Sequence, residues 1–488
     1  MLNKIKTLAS DTAIYGFFTI IGRFLTFLLT PIYAHAIDMS ELGDVQYVFA
    51  VFAFINIINS FGMESAFFRF YSKDDYNLNK SVFSHTFIPI ALISLLISLS
   101  ILINSNIISQ KFTHLNYPVP AIIIAAFIPF LDALMLVPYA MLRMTRQARR
   151  FAVTRFMLVM IAFALNILFV SILHYGSVGI MVSQLLASLI GVSIFLRDIS
   201  KFLVFKFDKK LFKELLKFGL PTLPANFSSI ILQVADRPLL EAFTSAKTVG
   251  FYTVNHRLGI PMLLFVTLFE YAWKPFYLGN YEENDAKKTY SRVLTYFTVC
   301  SALIFLLTSL FIDYIVRAPM LGTRFIPPEY WAGMGVIPIT LAAFYFNGVY
   351  INFAAGFHIT KNTKYFPISI GIGAIVNIAS NLVLIPTIGY MGAAYSGLAA
   401  YFCSALVLYL FQRKVYPIQY EWRRVFIIII SAALVYAISM IINFNNNPQL
   451  NFIIRVGCFI LFGVLVYAFG FLNKKELMYI KQFFKRNS

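Results

Sequence analysis

The residues that could do chemistry in this chain are ionisable groups set inside long apolar runs. Arg23 falls near the middle of the first run and Asp132 near the middle of the fourth. Asp236 and Arg237 stand toward one end of the seventh, and His256 and Arg257 lie within the eighth. Glu64, Arg69, Glu270 and Lys274 mark the ends of the second and eighth runs. At the centre of a membrane helix such a group costs about 2.5–3.5 kcal/mol on insertion scales, so each needs a partner. Asp236 has one beside it in Arg237, and Glu64 and Glu270 lie near basic connections, which predicts structural ion pairs. Arg23 and Arg257 have no acid a helical turn away in their own runs. A deep guanidinium without a carboxylate calls for an anionic ligand, and its planar fork suits phosphate. Both are expected to bind one. Lys274 and Arg69, close to a membrane surface, either gather anionic head groups or snorkel. Asn56 and Asn255 suit sugar hydroxyls, although buried amides also hold helices together. Asp132, the most deeply placed acid, is the candidate for coupling to H+ or Na+.

The elements that must position these groups are membrane helices. Of 488 residues, 59% are hydrophobic and 12% charged, with a mean hydropathy of +0.76. A soluble domain carries about 25% charge. Runs of about 20 apolar residues, enough to cross a bilayer, fall at roughly 12–36, 45–68, 82–105, 119–142, 153–175, 177–196, 218–241, 249–272, 292–313, 333–357, 364–387, 390–411, 424–443 and 452–472. The fold class expected is all-α integral membrane, with about fourteen spans. Lys4 and Lys6 ahead of an apolar run, with Ala34, His35 and Ala36 after it, imitate a signal peptide. The run is too long for one, and Arg23 interrupts it, so an uncleaved first helix is expected.

A net charge of +19 would point to nucleic acid in a soluble protein. Here it reports orientation, because cytoplasmic loops are rich in Lys and Arg. Arg143, Arg146, Arg149 and Arg150, the segment Lys201 to Lys217, and Arg413, Lys414, Arg423 and Arg424 all fall on one side, as does the tail with Lys474, Lys475, Lys481, Lys485 and Arg486. Lys111, Lys247, Arg317, Arg324 and Arg455 fall on the other. Both termini are therefore expected in the cytoplasm, and no nucleic-acid partner is expected. Cys300, Cys403 and Cys458 sit in apolar runs, with no metal or redox spacing. No convergent acid/base or nucleophile set marks an enzyme, and no cofactor is expected.

The chain repeats itself. Glu64, Ala66, Phe70 and Tyr71 recur in register as Glu270, Ala272, Phe276 and Tyr277, each set following a glycine, Gly43 or Gly250. Gly176 and Gly179 match Gly389 and Gly392, with Asn166 and Asn377 upstream. Spans one to six thus repeat as seven to twelve in the same orientation, the architecture of two-lobed transporters. The division expected is 1–200 and 201–414 for two six-helix lobes, and 415–488 for two extra helices and a basic tail. Interior prolines at 31, 89, 129, 221, 224, 261, 338 and 367 are expected to bend their helices.

One set of motifs is more specific. Lys217, Gly219, Pro221 and Pro224, then Ala235, Asp236 and Arg237, then Val249, Gly250, Phe251, Tyr252 and Arg257 resemble the polysaccharide-exporter family, which includes the O-antigen (Wzx-type) flippases. The opening is similar too, through Asp11, Gly16, Gly22, Arg23, Pro31, Glu41, Gly43, Gly62, Glu64 and Arg69. The family belongs to the multidrug/oligosaccharidyl-lipid/polysaccharide superfamily. The resemblance implies a central cationic cavity for a polyprenyl-pyrophosphate-linked oligosaccharide, moved from the cytoplasmic to the outer leaflet of a bacterial inner membrane. It also implies contact with membrane lipids, a glycan polymerase and other assembly proteins. Transport would be driven by H+, Na+ or the membrane potential. Lipid II flippases of that superfamily carry a deep arginine in their first helix, which Arg23 matches. A multidrug cation antiporter, which would want an acidic or aromatic cavity, and a membrane glycan-modifying enzyme are the alternatives. The charge bias makes a direct expectation. Reporter fusions after Asn106 and Asn445 read as outside and one after Arg150 as inside, and a cytoplasmic signal after Asn445 would break the count of fourteen.

Overall fold

A bilayer offers no hydrogen bonds to the backbone, so a spanning segment must satisfy its own N–H and C=O groups as helix. The computed structural model, which describes residues 2–72, 74–111, 119–320, 323–442 and 448–471, is helical accordingly. Its helices are α1 (Leu2–Ala36), α2 (Met39–Ser60), α3 (Met63–Phe70), α4 (Tyr76–Ile103), α5 (Ser105–Lys111), α6 (Val119–Met144), α7 (Ala148–Asn166), α8 (Gly176–Phe202), α9 (Lys209–Gly219), α10 (Leu223–Val234), α11 (Asp236–Phe243), α12 (Ala246–Arg257), α13 (Ile260–Asn280), α14 (Ala286–Arg317), α15 (Val336–Ile359), α16 (Tyr365–Ile388), α17 (Tyr390–Val415), α18 (Trp422–Ile441) and α19 (Pro448–Ala468). A two-residue hairpin pairs Pro319 and Met320 with Thr323 and Arg324 between α14 and α15. Among the described residues thirteen segments are long and apolar enough to cross a membrane. The remaining crossing is α12 followed by α13, interrupted at Leu258 and Gly259, which gives about fourteen. Position 445, His114 and the basic residues from Lys474 onward lie outside the described residues.

Several expected spans are broken. The second ends at Ser60, and the chain turns through Phe61 (φ 28°) and Gly62 (φ 77°) before α3 starts. Glu64 and Arg69 therefore belong to a short separate helix and do not prolong span two. The seventh span is assembled from α9, a tight turn at Leu220–Thr222, α10 and α11. Pro221, Pro224 and Pro261 do not bend helices but stand at helix starts, where the missing N–H costs nothing. Pro31 and Pro89 do lie inside continuous helices. Asp208 caps α9 by accepting from the backbone N–H groups of Lys210 (2.8 Å) and Leu211 (3.2 Å). Those bonds, Leu211's first, hold its carboxyl below the ordinary range.

The repeat is visible in the packing. α1 lies against α7 as α10 lies against α16; α4 against α6 as α14 against α15; α6 against α8 as α15 against α17; and α7 against α8 as α16 against α17. The turns recur with it. Gly176 (φ 56°) opens α8 and Gly389 (φ 60°) opens α17. The left-handed backbone at both turns explains why glycine recurs there. The two lobes are followed by α18 and α19, which pack on α14.

The lobes meet along a seam. We use near face for the side where α1 begins and far face for the other. Toward the far face α2 crosses α12, and the repeat-related glycines Gly43 and Gly250 lie back to back. A methyl group on Gly43 would fall 1.7 Å from the Ala246 carbonyl oxygen, and one on Gly250 would fall 2.0 Å from that of Met39. Toward the near face α1 lies on α13, where Gly16 packs on the ring of Tyr271 and Thr19 meets its hydroxyl at 3.2 Å. Gly62 meets Gly219 across the same face.

Candidate functional site

Between these two contacts the seam opens into a cavity of about 540 Å³. It is walled by α1, α7, the α12–α13 break and α15, and Arg23, Arg155, His256 and Arg257 line it among phenylalanines. Arg23 reaches it because it sits on the α1 face turned to the second lobe. There its guanidinium donates to the Thr267 hydroxyl on α13. Arg257 does the converse. It ends α12, where the helix breaks and lets it swing toward the first lobe, and it donates to the Gln46 side-chain oxygen on α2 at 3.0 Å. Each lobe thus extends an arginine across the seam to a neutral acceptor in the other. Among the described residues no carboxylate lies within 4.0 Å of either guanidinium.

Each arginine also borders a polar chamber. Arg23 walls a chamber of about 370 Å³ inside the second lobe, lined by Gln233, Asp236, Glu270, Asn347, Asn377 and Tyr401 among others. Arg257 walls one of about 430 Å³ inside the first lobe, with Tyr33, Asn56, Asp132, Asn166 and Gln184. Asp132 accepts from the Ser188 hydroxyl at 2.6 Å, and Tyr33 donates to Asn166 at 2.7 Å. The Asn56 amide oxygen is buried without a hydrogen-bond partner among the described residues. Asp236 and Arg237 form a buried ion pair at 2.7 Å. Arg237 also donates to the Gln233 carbonyl (2.7 Å), and Tyr252 donates to Asp236 (2.7 Å).

Other residues marked by the sequence lie elsewhere. The Asn255 amide donates to the backbone oxygens of Phe251 (3.0 Å) and Tyr330 (3.1 Å), so it ties α12 to the turn before α15 and lines none of these cavities. Arg69 and Lys274 are exposed and line none of them. Glu64 pairs with Arg143 at 3.3 Å, whereas its repeat mate Glu270 faces the chamber beside Arg23. The two matched acids do different work because the turn at Phe61–Gly62 sets α3 among α4, α6 and α9, where Glu64 meets Arg143, while α13 continues along α1. Nothing in the sequence pattern marks Arg155. It sits at the start of an apolar run and resembles a loop arginine, and only the fold brings it to the cavity, over the rings of Phe151 (5.7 Å) and Tyr139 (5.8 Å).

The family described as "Polysaccharide biosynthesis protein" matches residues 8–276, more than half of the sequence. The chain belongs to this family. A comparison with curated protein sequences finds no match. Among solved structures this polysaccharide biosynthesis family member is similar to the lipid II flippase MurJ in an inward closed conformation, at 18% identity and a TM-score of 0.70. That match covers 93% of this chain and 99% of MurJ. It is also similar to an inward-facing multidrug resistance MATE transporter of the MOP superfamily (16% identity, TM-score 0.61, covering 80% and 94%). A third is the MATE multidrug transporter DinF-BH (17% identity, TM-score 0.60, covering 85% and 97%). At these identities the likeness establishes the fold.

The Asp236–Arg237 pair makes a stability prediction. Asp236→Asn leaves a buried guanidinium unpaired and is expected to cost about 3–5 kcal/mol, whereas replacing both partners by apolar residues of similar size costs much less. Thermal unfolding of Asp236→Asn, Arg237→Met and the double variant Asp236→Leu/Arg237→Met in detergent checks this. Equal losses in single and double variants would contradict it.

Proposed function

We propose that this protein is a flippase that carries a polyprenyl-pyrophosphate-linked oligosaccharide, such as an O-antigen or capsule repeat unit, from the cytoplasmic to the outer leaflet of a bacterial inner membrane. The observation that carries the reading is the pair of guanidinium groups exchanged across the seam. Each guanidinium has five N–H donors and spends one on a neutral side chain. Both guanidinium groups line a cavity that has Arg155 on its wall and phenylalanines around it. A pyrophosphate fits the cations, and glycosyl and prenyl groups fit the amide-rich chambers and the aromatic walls. A cationic drug does not fit a wall of three arginines. The near face, which holds the basic connections, is the cytoplasmic one. With residues 1–200 and 201–414 as the moving lobes, parting α2 from α12 while closing α1 on α13 alternates access. The lipid-linked sugar is the substrate partner, with a glycan polymerase receiving it.

Arg23→Ala and Arg257→Ala are each expected to reduce surface glycan at least tenfold at normal protein level. Lys at either position restores only part of it, since an ammonium cannot make the bidentate contact. Normal export by both Ala variants would remove the assignment. The driving force follows from charge. An inside-negative potential favours moving each negative charge outward by about 2.3 kcal/mol per 100 mV, and it draws the emptied cationic cavity back inward. Collapsing the potential with potassium and valinomycin, at fixed pH and without sodium, is expected to slow flipping in vesicles. Unchanged flipping there, with loss in Asp132→Asn, would replace this account by ion coupling through Asp132.

A further inference from the structure

A second concavity lies on the far face, beyond the crossing of α2 and α12. Its volume is about 660 Å³. The first lobe supplies its wall from the end of α1 to Met39. The second supplies the start of α12, the turn at Glu329 and Tyr330, and Tyr390 at the head of α17. Phe251 forms its aromatic floor, stacked on Tyr330 (6.3 Å, 12° between planes) and edge-on to Tyr390 (5.0 Å). Phe251 and Tyr390 keep part of their rings open. The Tyr330 hydroxyl is buried without a hydrogen-bond partner among the described residues. Around the rings stand exposed Asp38, Glu329 and Lys247. One oxygen of Asp38 caps α2 through Ser40 N (2.8 Å), which leaves the other free to accept.

This lining differs from the seam cavity in kind. Besides the imidazole of His35, two carboxylates stand against one ammonium, a balance that disfavours a pyrophosphate. Open aromatic rings bordered by acceptors and a donor match a ring that is apolar on its C–H faces and hydroxylated at its edge, as a saccharide is. We infer that this far-face vestibule binds saccharide, and that bound saccharide holds α2 and α12 crossed. The second half follows from construction. Asp38 comes from one lobe and Phe251, Glu329 and Tyr390 from the other, so the site is whole only while Gly43 and Gly250 are in contact. A ligand that binds one of two states favours that state by its differential affinity. Glycan accumulating outside then slows its own delivery by retaining the carrier with its far side closed. The choice of saccharide rests on the proposed function; the vestibule and its lining do not.

The test uses the full chain in nanodiscs and soluble oligosaccharides that carry neither lipid nor phosphate: lactose, maltotriose, cellotriose and N,N′-diacetylchitobiose. Saturation-transfer NMR is expected to detect at least one of them. Phe251→Ala and Glu329→Gln are each expected to weaken it at least tenfold, and exposed Glu329→Gln is expected to melt as the unmodified protein does, so that its loss of binding is read apart from any unfolding. Gly250→Ala, whose methyl group meets the Met39 carbonyl oxygen at the edge of the vestibule, is expected to weaken it by disrupting the crossing while every aromatic and charged side chain of the lining is kept. Silence from all four sugars, or binding indifferent to Phe251→Ala, overturns the inference. Binding indifferent to Gly250→Ala overturns its conformational half. Inorganic pyrophosphate, titrated in parallel against Arg23→Ala and Arg257→Ala, separates the two sites. Pyrophosphate binding lost in both arginine variants, with no saccharide binding, removes only the vestibule. Saccharide binding beside pyrophosphate binding that ignores both arginines removes only the seam assignment.

Discussion

Each lobe lends the other a guanidinium, and the arrangement at the seam depends on that exchange. Arg23 leaves α1 to meet Thr267, and Arg257 leaves the end of α12 to meet Gln46. Neither finds a carboxylate among the described residues, although Glu270 and Asp132 line the chambers that these arginines border. Direct ion pairs across the seam would glue the lobes, since a buried pair is costly to break. Neutral acceptors give orientation with a smaller hold. Both the cavity's charge and the lobes' freedom to part follow from this choice of partner.

The repeat explains the scaffold better than it explains the chemistry. Helix contacts and the glycine turns at Gly176 and Gly389 recur from one lobe to the other. The breaks do not. The first lobe interrupts its second crossing at Phe61–Gly62, close to the near face, whereas the second interrupts the matching crossing at Leu258–Gly259, level with the cavity. The second break lets Arg257 leave its helix toward the first lobe. The first turns Glu64 aside to a surface pair with Arg143. Two copies of one plan thus place their matched glutamates differently, Glu270 in the chamber beside Arg23 and Glu64 in a pair with Arg143.

How much of this the sequence makes legible depends on the range of the signal. Apolar runs and charge bias are local, so the crossings and the parallel repeat could be read directly. Arg23 and Arg257 could be singled out because a lone guanidinium in an apolar run is expensive wherever its helix lies. Their partners could not, since Thr267 and Gln46 are hundreds of residues away and chemically ordinary. Arg155 gives no such signal for the opposite reason: at the edge of an apolar run an arginine is cheap and looks like an anchor, although α7 begins seven residues before it. Asn255 misled because a buried amide satisfies backbone carbonyls as readily as it would satisfy a ligand. The helix breaks at Phe61–Gly62 and Leu258–Gly259 carry only a glycine each as a local signal, which a membrane helix also tolerates within its length.

The crossing of α2 on α12 is made of backbone. Where Gly43 and Gly250 meet, neither residue has rotamers to lose on closing or to regain on opening, a term that for long side chains reaches about 2 kcal/mol each. Such a joint carries little entropy of its own, so its position is set by whatever occupies the cavities on either side. It also tolerates very little. Because the two glycines are repeat mates, the same smallest possible insertion, one methyl group, is forbidden from both lobes.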